Sequence, residues 1–191
     1  MRLPAHERRR QLLDVAVRVF AERGYHSTSM NDVAEAAGVT KPVLYQHFAS
    51  KRELYRELLE DIGGQLRDTI AKATVDAEGP RQQIERGFAA YFGFVAEHSD
   101  AFQVLFGAGT RRDEEFAAQA RRVEESVAEM VAGLIEIPGI SEQQRRLLGN
   151  GLVGLAEGSG RYWLHHGVDV DATTLAAQVA QLAWAGLRGV R

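Results

Sequence analysis

Ser29-Met30-Asn31-Asp32-Val33-Ala34-Glu35-Ala36-Ala37-Gly38-Val39-Thr40-Lys41-Pro42-Val43-Leu44-Tyr45-Gln46-His47-Phe48 reads as two short helices joined by a tight turn. Ser29 precedes the first apolar residues, where its hydroxyl can accept a free backbone N–H of the first turn, and Asp32 stands at the reciprocal capping-box position. That helix is expected to end near Ala37. Gly38 permits the turn, Val39 is an apolar plug, and Thr40 is placed to cap a further helix. Lys41 and Pro42 fall in its first turn, where the missing proline N–H does no harm. Leu44 and Phe48 share the inward face with Val39, and Lys41, Val43, Tyr45, Gln46 and His47 are left for the other faces. Two helices so joined make a helix-turn-helix, whose second helix can enter the major groove of DNA.

Outward from this stretch, apolar residues recur at steps of three and four, so the fold class expected is all-α. Leu12, Leu13, Ala16, Val19 and Phe20 form the stripe of a first helix, stopped by Gly24. Ser50-Lys51-Arg52-Glu53 is another capping box and opens a long helix striped by Leu54, Leu58, Ile62, Leu66 and Ile70. Further helices are expected over 80–97, 100–107, 113–136, 141–166 and 171–188, about nine in all. The expected organisation is a three-helix DNA-binding domain, 1–56, followed by a larger helical ligand-binding and dimerisation domain, 57–191.

Charge divides the chain at the same place. The formal net charge over 191 residues is −3, which by itself gives no hint of a polyanionic partner. Residues 1–56, however, hold ten Lys/Arg against six Asp/Glu, leaving thirteen against twenty for the remainder. A basic head and an acidic body fit a protein that meets DNA only through its head. The chain has no cysteine, which removes disulfides, Cys-ligated zinc and a thiol nucleophile. No secretory pattern or membrane-length apolar run is present, so a cytoplasmic location and no membrane partner are expected.

Gly24-Tyr25, Thr28-Ser29, Val33-Ala34, Ala37-Gly38-Val39, Leu44-Tyr45, His47-Phe48 and Ser50-Lys51 stand in the order and spacing of the N-terminal domain of the TetR family, which residues 10–60 strongly resemble. The resemblance implies a transcriptional regulator, usually a repressor, that binds a palindromic double-stranded operator as a homodimer and is released by a small effector. It places Thr28, Ser29, Tyr45, His47 and Lys51 against phosphates, and Thr40, Lys41, Pro42 and Val43 at base edges. The chemistry agrees: helix N-termini favour anions, lysine suits guanine acceptors, and valine suits a thymine methyl.

In the body, Gly151, Gly154 and Gly158 form a small-residue stripe that admits a second helix closely, with Leu155 alongside. The resemblance assigns the dimer interface to the last two helices, here these residues together with Leu182. The same glycines are also compatible with packing inside the chain or with space for a ligand. Phe88, Tyr91 and Phe92 share one face with Ile84 and Val95, and Phe102, Leu105 and Phe106 follow. Two such faces can line a pocket for an apolar effector, with the Tyr91 hydroxyl orienting it; the same stripes also suit plain core. No cofactor is expected.

Two other readings start from different residues. His98, Asp100, His165 and His166 are the groups an enzyme would use, but they straddle a helix boundary or point to different helix faces. A helical adaptor that has lost DNA binding would leave the amphipathic faces as its working parts. The expectation is no enzyme, and the basic head opposes the adaptor.

Overall fold

The computed structural model describes residues 4–190. Among them are ten helices and no strand: α1 (Ala5–Ser27), α2 (Met30–Ala36), α3 (Lys41–His47), α4 (Lys51–Thr74), α5 (Pro80–Glu97), α6 (Ser99–Phe106), α7 (Ala108–Arg112), α8 (Glu114–Gly133), α9 (Glu142–His166) and α10 (Ala172–Leu187). The all-α class is as read from periodicity. The helix beyond the expected nine is α7, a single turn. No described helix is long and apolar enough to cross a membrane.

Several local signals act where the sequence puts them. Gly24 (φ 76°, ψ 162°) interrupts the helical path of α1. Ser29 and Asp32 form the capping box of α2, Ser141 and Gln144 that of α9, and Asp171 caps α10 by accepting from the Thr174 N–H. At Ser50 the box is shifted by one residue: Ser50 Oγ accepts from Glu53 N–H, but the Glu53 carboxylate accepts from the N–H of Ala49. The α8 helix stops at Gly133, three residues short of the expected end.

Two compact units are formed. One holds the chain up to Ile62 together with Asp100–Ala120, and the other holds Gly63–Ser99 together with the chain from Arg121 onward. These packing units follow different lines from a division at 56/57. The first unit is centred on Leu12, Ala16, Phe20, Val33, Leu44, Phe48, Leu54, Leu58 and Phe116, all deeply buried. Tyr25, Tyr55 and Phe116 form a three-ring cluster with centroids 4.6–4.9 Å apart. The Tyr55 hydroxyl is 2.6 Å from Thr110 Oγ1, which ties α7 to α4.

In the second unit, α10 packs on α5 and α9. Intrachain packing demands glycine at Gly149 of α9, where a Cβ would lie 2.6 Å from the Ala128 carbonyl oxygen and 3.0 Å from Ala132 Cβ of α8. Gly149→Ala is therefore expected to destabilise the second unit by about 1–3 kcal/mol through overpacking against backbone, as measured by urea unfolding. A helical Gly→Ala change without this clash would instead stabilise by roughly 0.5–1 kcal/mol.

Candidate nucleic-acid interface

The turn between α2 and α3 is fixed by backbone bonds. Gly38 takes φ 63°, its N–H reaches Glu35 O at 3.0 Å, and the Val39 N–H reaches Ala34 O at 3.0 Å. Left-handed backbone at this point is what glycine supplies without strain. Thr40 begins α3 with its carbonyl, which accepts from Val43 N (2.9 Å) and Leu44 N (3.2 Å). Its side chain makes no cap bond, contrary to the reading of Thr40 as a hydroxyl cap: Pro42 has no N–H to give, and the Val43 N–H is bonded to the Thr40 carbonyl instead. Thr40 is exposed.

Leu44 and Phe48 are buried, Val43 and His47 half-buried, and Lys41, Pro42, Tyr45 and Gln46 exposed. Tyr45, at 43% exposure, shows an aromatic ring to solvent, with Lys41 Nζ 6.0 Å from its centroid. Lys41 makes no ion pair among the described residues, whereas four arginines of the same unit are engaged: Arg9 with Glu57, Arg10 with Asp61, Arg23 with Asp32, and Arg52 with Glu115. An outward lysine and tyrosine on a helix held from behind by two buried side chains are well placed to meet a polyanion. Gln46, exposed beside Tyr45, belongs to this face; the sequence put it on an outer face but assigned it no contact.

Ser29 is exposed at the start of α2, although its hydroxyl is occupied by the cap. The Asp32 carboxyl is held below the ordinary carboxylate range, first by the Ser29 hydroxyl and then by the Ser29 N–H. The cap's charge-dependent contribution is thus complete above the ordinary carboxylate pKa and is lost as pH falls through the depressed value.

Two expected phosphate ligands are turned inward. Thr28 is 2% exposed, and its hydroxyl donates to Gly24 O at 2.8 Å, closing the end of α1. Lys51 donates to Tyr25 O and Thr28 O, both at 2.8 Å, and lies 4.3 Å from the Tyr25 ring centroid. Burial lowers its pKa. Both placements follow from the kink at Gly24, which leaves carbonyls near the end of α1 that these side chains meet. Lys51→Ala is expected to lower stability by about 1–3 kcal/mol by orphaning those carbonyls, while leaving the salt dependence of DNA binding unchanged. Urea unfolding and a salt titration check the two parts.

The other expected sites separate. Phe88, Tyr91 and Phe92 are buried in the second unit, with the Phe92 centroid 6.3 Å from Phe88 and 5.2 Å from Tyr91. Burial pushes the Tyr91 phenol far up, and Glu157 and Glu124 add to it. Phe102 and Phe106, expected to line the same pocket, are buried in the first unit with centroids 4.8 Å apart. Their helix is bonded to the head: Gln103 donates to Ala21 O at 3.3 Å. Gly151 and Gly154 are exposed, Leu155 and Gly158 half-buried, and Leu182 63% exposed. A Cβ at Gly151, Gly154 or Gly158 would meet nothing within 4 Å, so packing inside the chain does not account for them. Leu147 (72% exposed) and Tyr162 (60%) extend the stripe at the same steps of three and four. His165 and His166 ring nitrogens pair with the carbonyls of Arg161 and Tyr162, and no group of three potential metal ligands occurs among the described residues.

Comparison with known proteins agrees with this geometry. Residues 12–58 match "Bacterial regulatory proteins, tetR family", and residues 80–186 match "Tetracyclin repressor-like, C-terminal domain". The HTH-type transcriptional activator FasR of Mycolicibacterium smegmatis is 36% identical over 190 residues, 99% of this chain and 87% of its own. The crystal structure of a TetR-like transcriptional regulator from Rhodococcus sp. RHA1 is 31% identical, with a TM-score of 0.80, covering 99% of this chain and 100% of its own. FadR from Bacillus subtilis, solved in complex with stearoyl-CoA, shares the fold at 18% identity and a TM-score of 0.79, covering 95% of this chain and 99% of its own. The chain belongs to the TetR family: it is a transcriptional regulator with a helix-turn-helix DNA-binding domain, and not an enzyme.

Proposed function

We propose that the protein is a repressor that reads a palindromic operator as a homodimer and is released by a small apolar effector, with residues 1–56 as the reading head and 57–191 as the regulatory body. The observation that carries the reading is the outer face of α3, where Lys41, Pro42, Tyr45 and Gln46 are exposed and Lys41 has no acidic partner among the described residues. Thr40, Lys41, Pro42 and Val43 read bases in this account, and Ser29, Tyr45 and His47 meet phosphates. Thr28 and Lys51 hold the end of α1 behind them.

A single helix-turn-helix spans too few base pairs for a genomic operator, so two heads are required, about 34 Å apart on the DNA. The open stripe of Leu147, Gly151, Gly154 and Tyr162 on α9, with Leu182 on α10, supplies a self-complementary surface for that pairing. For the effector, the support is the apolar interior around Phe88 and Phe92, with Tyr91 as its polar group. Stearoyl-CoA, bound by FadR of Bacillus subtilis, gives a first probe of an apolar chain.

Fluorescence anisotropy of protein–operator complexes, titrated with long-chain acyl thioesters, aromatic compounds and short polar controls, tests the reading. At least a tenfold shift in operator affinity by an apolar probe alone is expected; no shift by any of them contradicts the effector half. The name of FasR favours activation as a second reading. In vitro transcription distinguishes the two: occupancy of the operator lowers transcript yield in the first and raises it in the second.

A further inference from the structure

The recognition helix α3 has seven residues, too few to hold its own conformation, so tertiary contacts set its direction. Its N-terminal end is fixed by the Gly38–Val39 turn, and its middle by Leu44. Its C-terminal end is held by a residue 38 positions away. Arg9 of α1 donates from Nη1 to the His47 carbonyl at 2.9 Å, its guanidinium lies 4.4 Å from the Phe48 ring centroid, and Nη2 pairs with Glu57 of α4. One planar group thus satisfies a carbonyl that the helix leaves open, covers the aromatic residue that follows, and is anchored on a third helix.

We propose that Arg9 is a positioning residue for operator reading, acting by fixing the C-terminal end of α3 rather than by touching DNA. The inference rests on α3 being the element that reads the operator. Base-edge hydrogen bonds need α3 in one orientation, whereas phosphate contacts tolerate a shift, so losing Arg9 removes discrimination between sequences before it removes affinity for DNA as such. Arg10 supplies an internal control. It pairs with both carboxylate oxygens of Asp61 on α4, at 2.7 and 2.6 Å, and makes no hydrogen bond to α3 among the described residues.

Dissociation constants for a selected operator and for random duplex DNA, each at several salt concentrations, are to be compared for native protein, Arg9→Ala, Arg9→Lys and Arg10→Ala. In Arg9→Ala the operator-to-random ratio is expected to fall by about tenfold, the effect of one lost charge-assisted hydrogen bond, with the random-DNA salt slope unchanged. Arg9→Lys retains the charge without the planar fork and does not restore the ratio, and Arg10→Ala keeps it within twofold. A salt slope lower by about 0.9 with the ratio intact makes Arg9 a phosphate ligand and overturns the proposal. An intact ratio and slope with only a lowered melting temperature also overturns it. If Arg9→Ala does not fold, Glu57→Gln loosens the same anchor and is expected to give a smaller drop in the ratio; an unchanged ratio there counts against the proposal. A native protein with no operator preference at all refutes the underlying reading instead.

Discussion

Phe48→Ala is expected to lower the free energy of unfolding by about 3–5 kcal/mol, the usual cost of emptying a fully buried phenylalanine site. Phe48 is 1% exposed and ends the recognition helix, with its N–H bonded to Leu44 O at 3.1 Å. The cavity would open between α3 and the helices behind it, and the Arg9 guanidinium would lose the ring it covers. Since the stability of a domain is commonly about 5–15 kcal/mol, such a loss leaves the head barely folded. Urea unfolding is expected to show the lower midpoint, and operator binding to fall with it. A loss below about 1 kcal/mol would mean that the site collapses freely, and that α3 is not held as described.

Gly154→Leu is expected to do the opposite to the protomer and more to the assembly. Beyond its own stretch of helix backbone, a Cβ at Gly154 meets nothing within 4 Å among the described residues, and leucine is the better helix former, so the isolated protomer is expected to gain up to about 1 kcal/mol. If α9 meets its copy through this stripe, the added side chain stands where the partner helix must approach. Sedimentation is then expected to show monomers at micromolar concentration. Operator affinity is expected to fall by about a hundredfold or more, because two half-sites no longer act together. A variant that stays dimeric with native affinity would move the interface away from Gly154. Stability and association thus change with opposite signs, which an unfolded variant cannot imitate.

These two residues also show what can be read from the chain by itself. The helix-turn-helix is local: capping box, glycine turn, inward Leu44 and Phe48 all lie within 20 residues, and periodicity carries their meaning. The same holds for α4, whose stripe of Leu54, Leu58, Ile62, Leu66 and Ile70 is buried throughout. The α7 turn gave no such signal, because Ala108-Gly109-Thr110-Arg111-Arg112 has no apolar period, and the Thr110 hydroxyl ties it to Tyr55, 55 positions away, as well as to the nearby Val104 carbonyl.

Side-chain roles were less accessible because they depend on distant partners. Thr28 and Lys51 looked like exposed phosphate ligands, and only the kink at Gly24 shows that their polar atoms complete the end of α1. Phe102 and Phe106 form a stripe whose spacing says that it is buried but not against what. Bonds from α6 and α7 to Ala21 and Tyr55 place it with the head. Among the α9 glycines, nothing local distinguishes Gly149, pressed against the Ala128 carbonyl, from Gly151 and Gly154, which meet nothing. Arg9 was legible only as one of three consecutive arginines.

The central claim is that the outer face of α3 reads DNA sequence. Selection of binding sites from a random duplex pool, by native protein and by Lys41→Ala and Tyr45→Ala, tests it most directly. The account predicts an enriched palindrome for the native protein, an altered preference for Lys41→Ala, and weaker recovery of the same palindrome for Tyr45→Ala. No enrichment by the native protein at any salt concentration, or identical enrichment by all three, would contradict it.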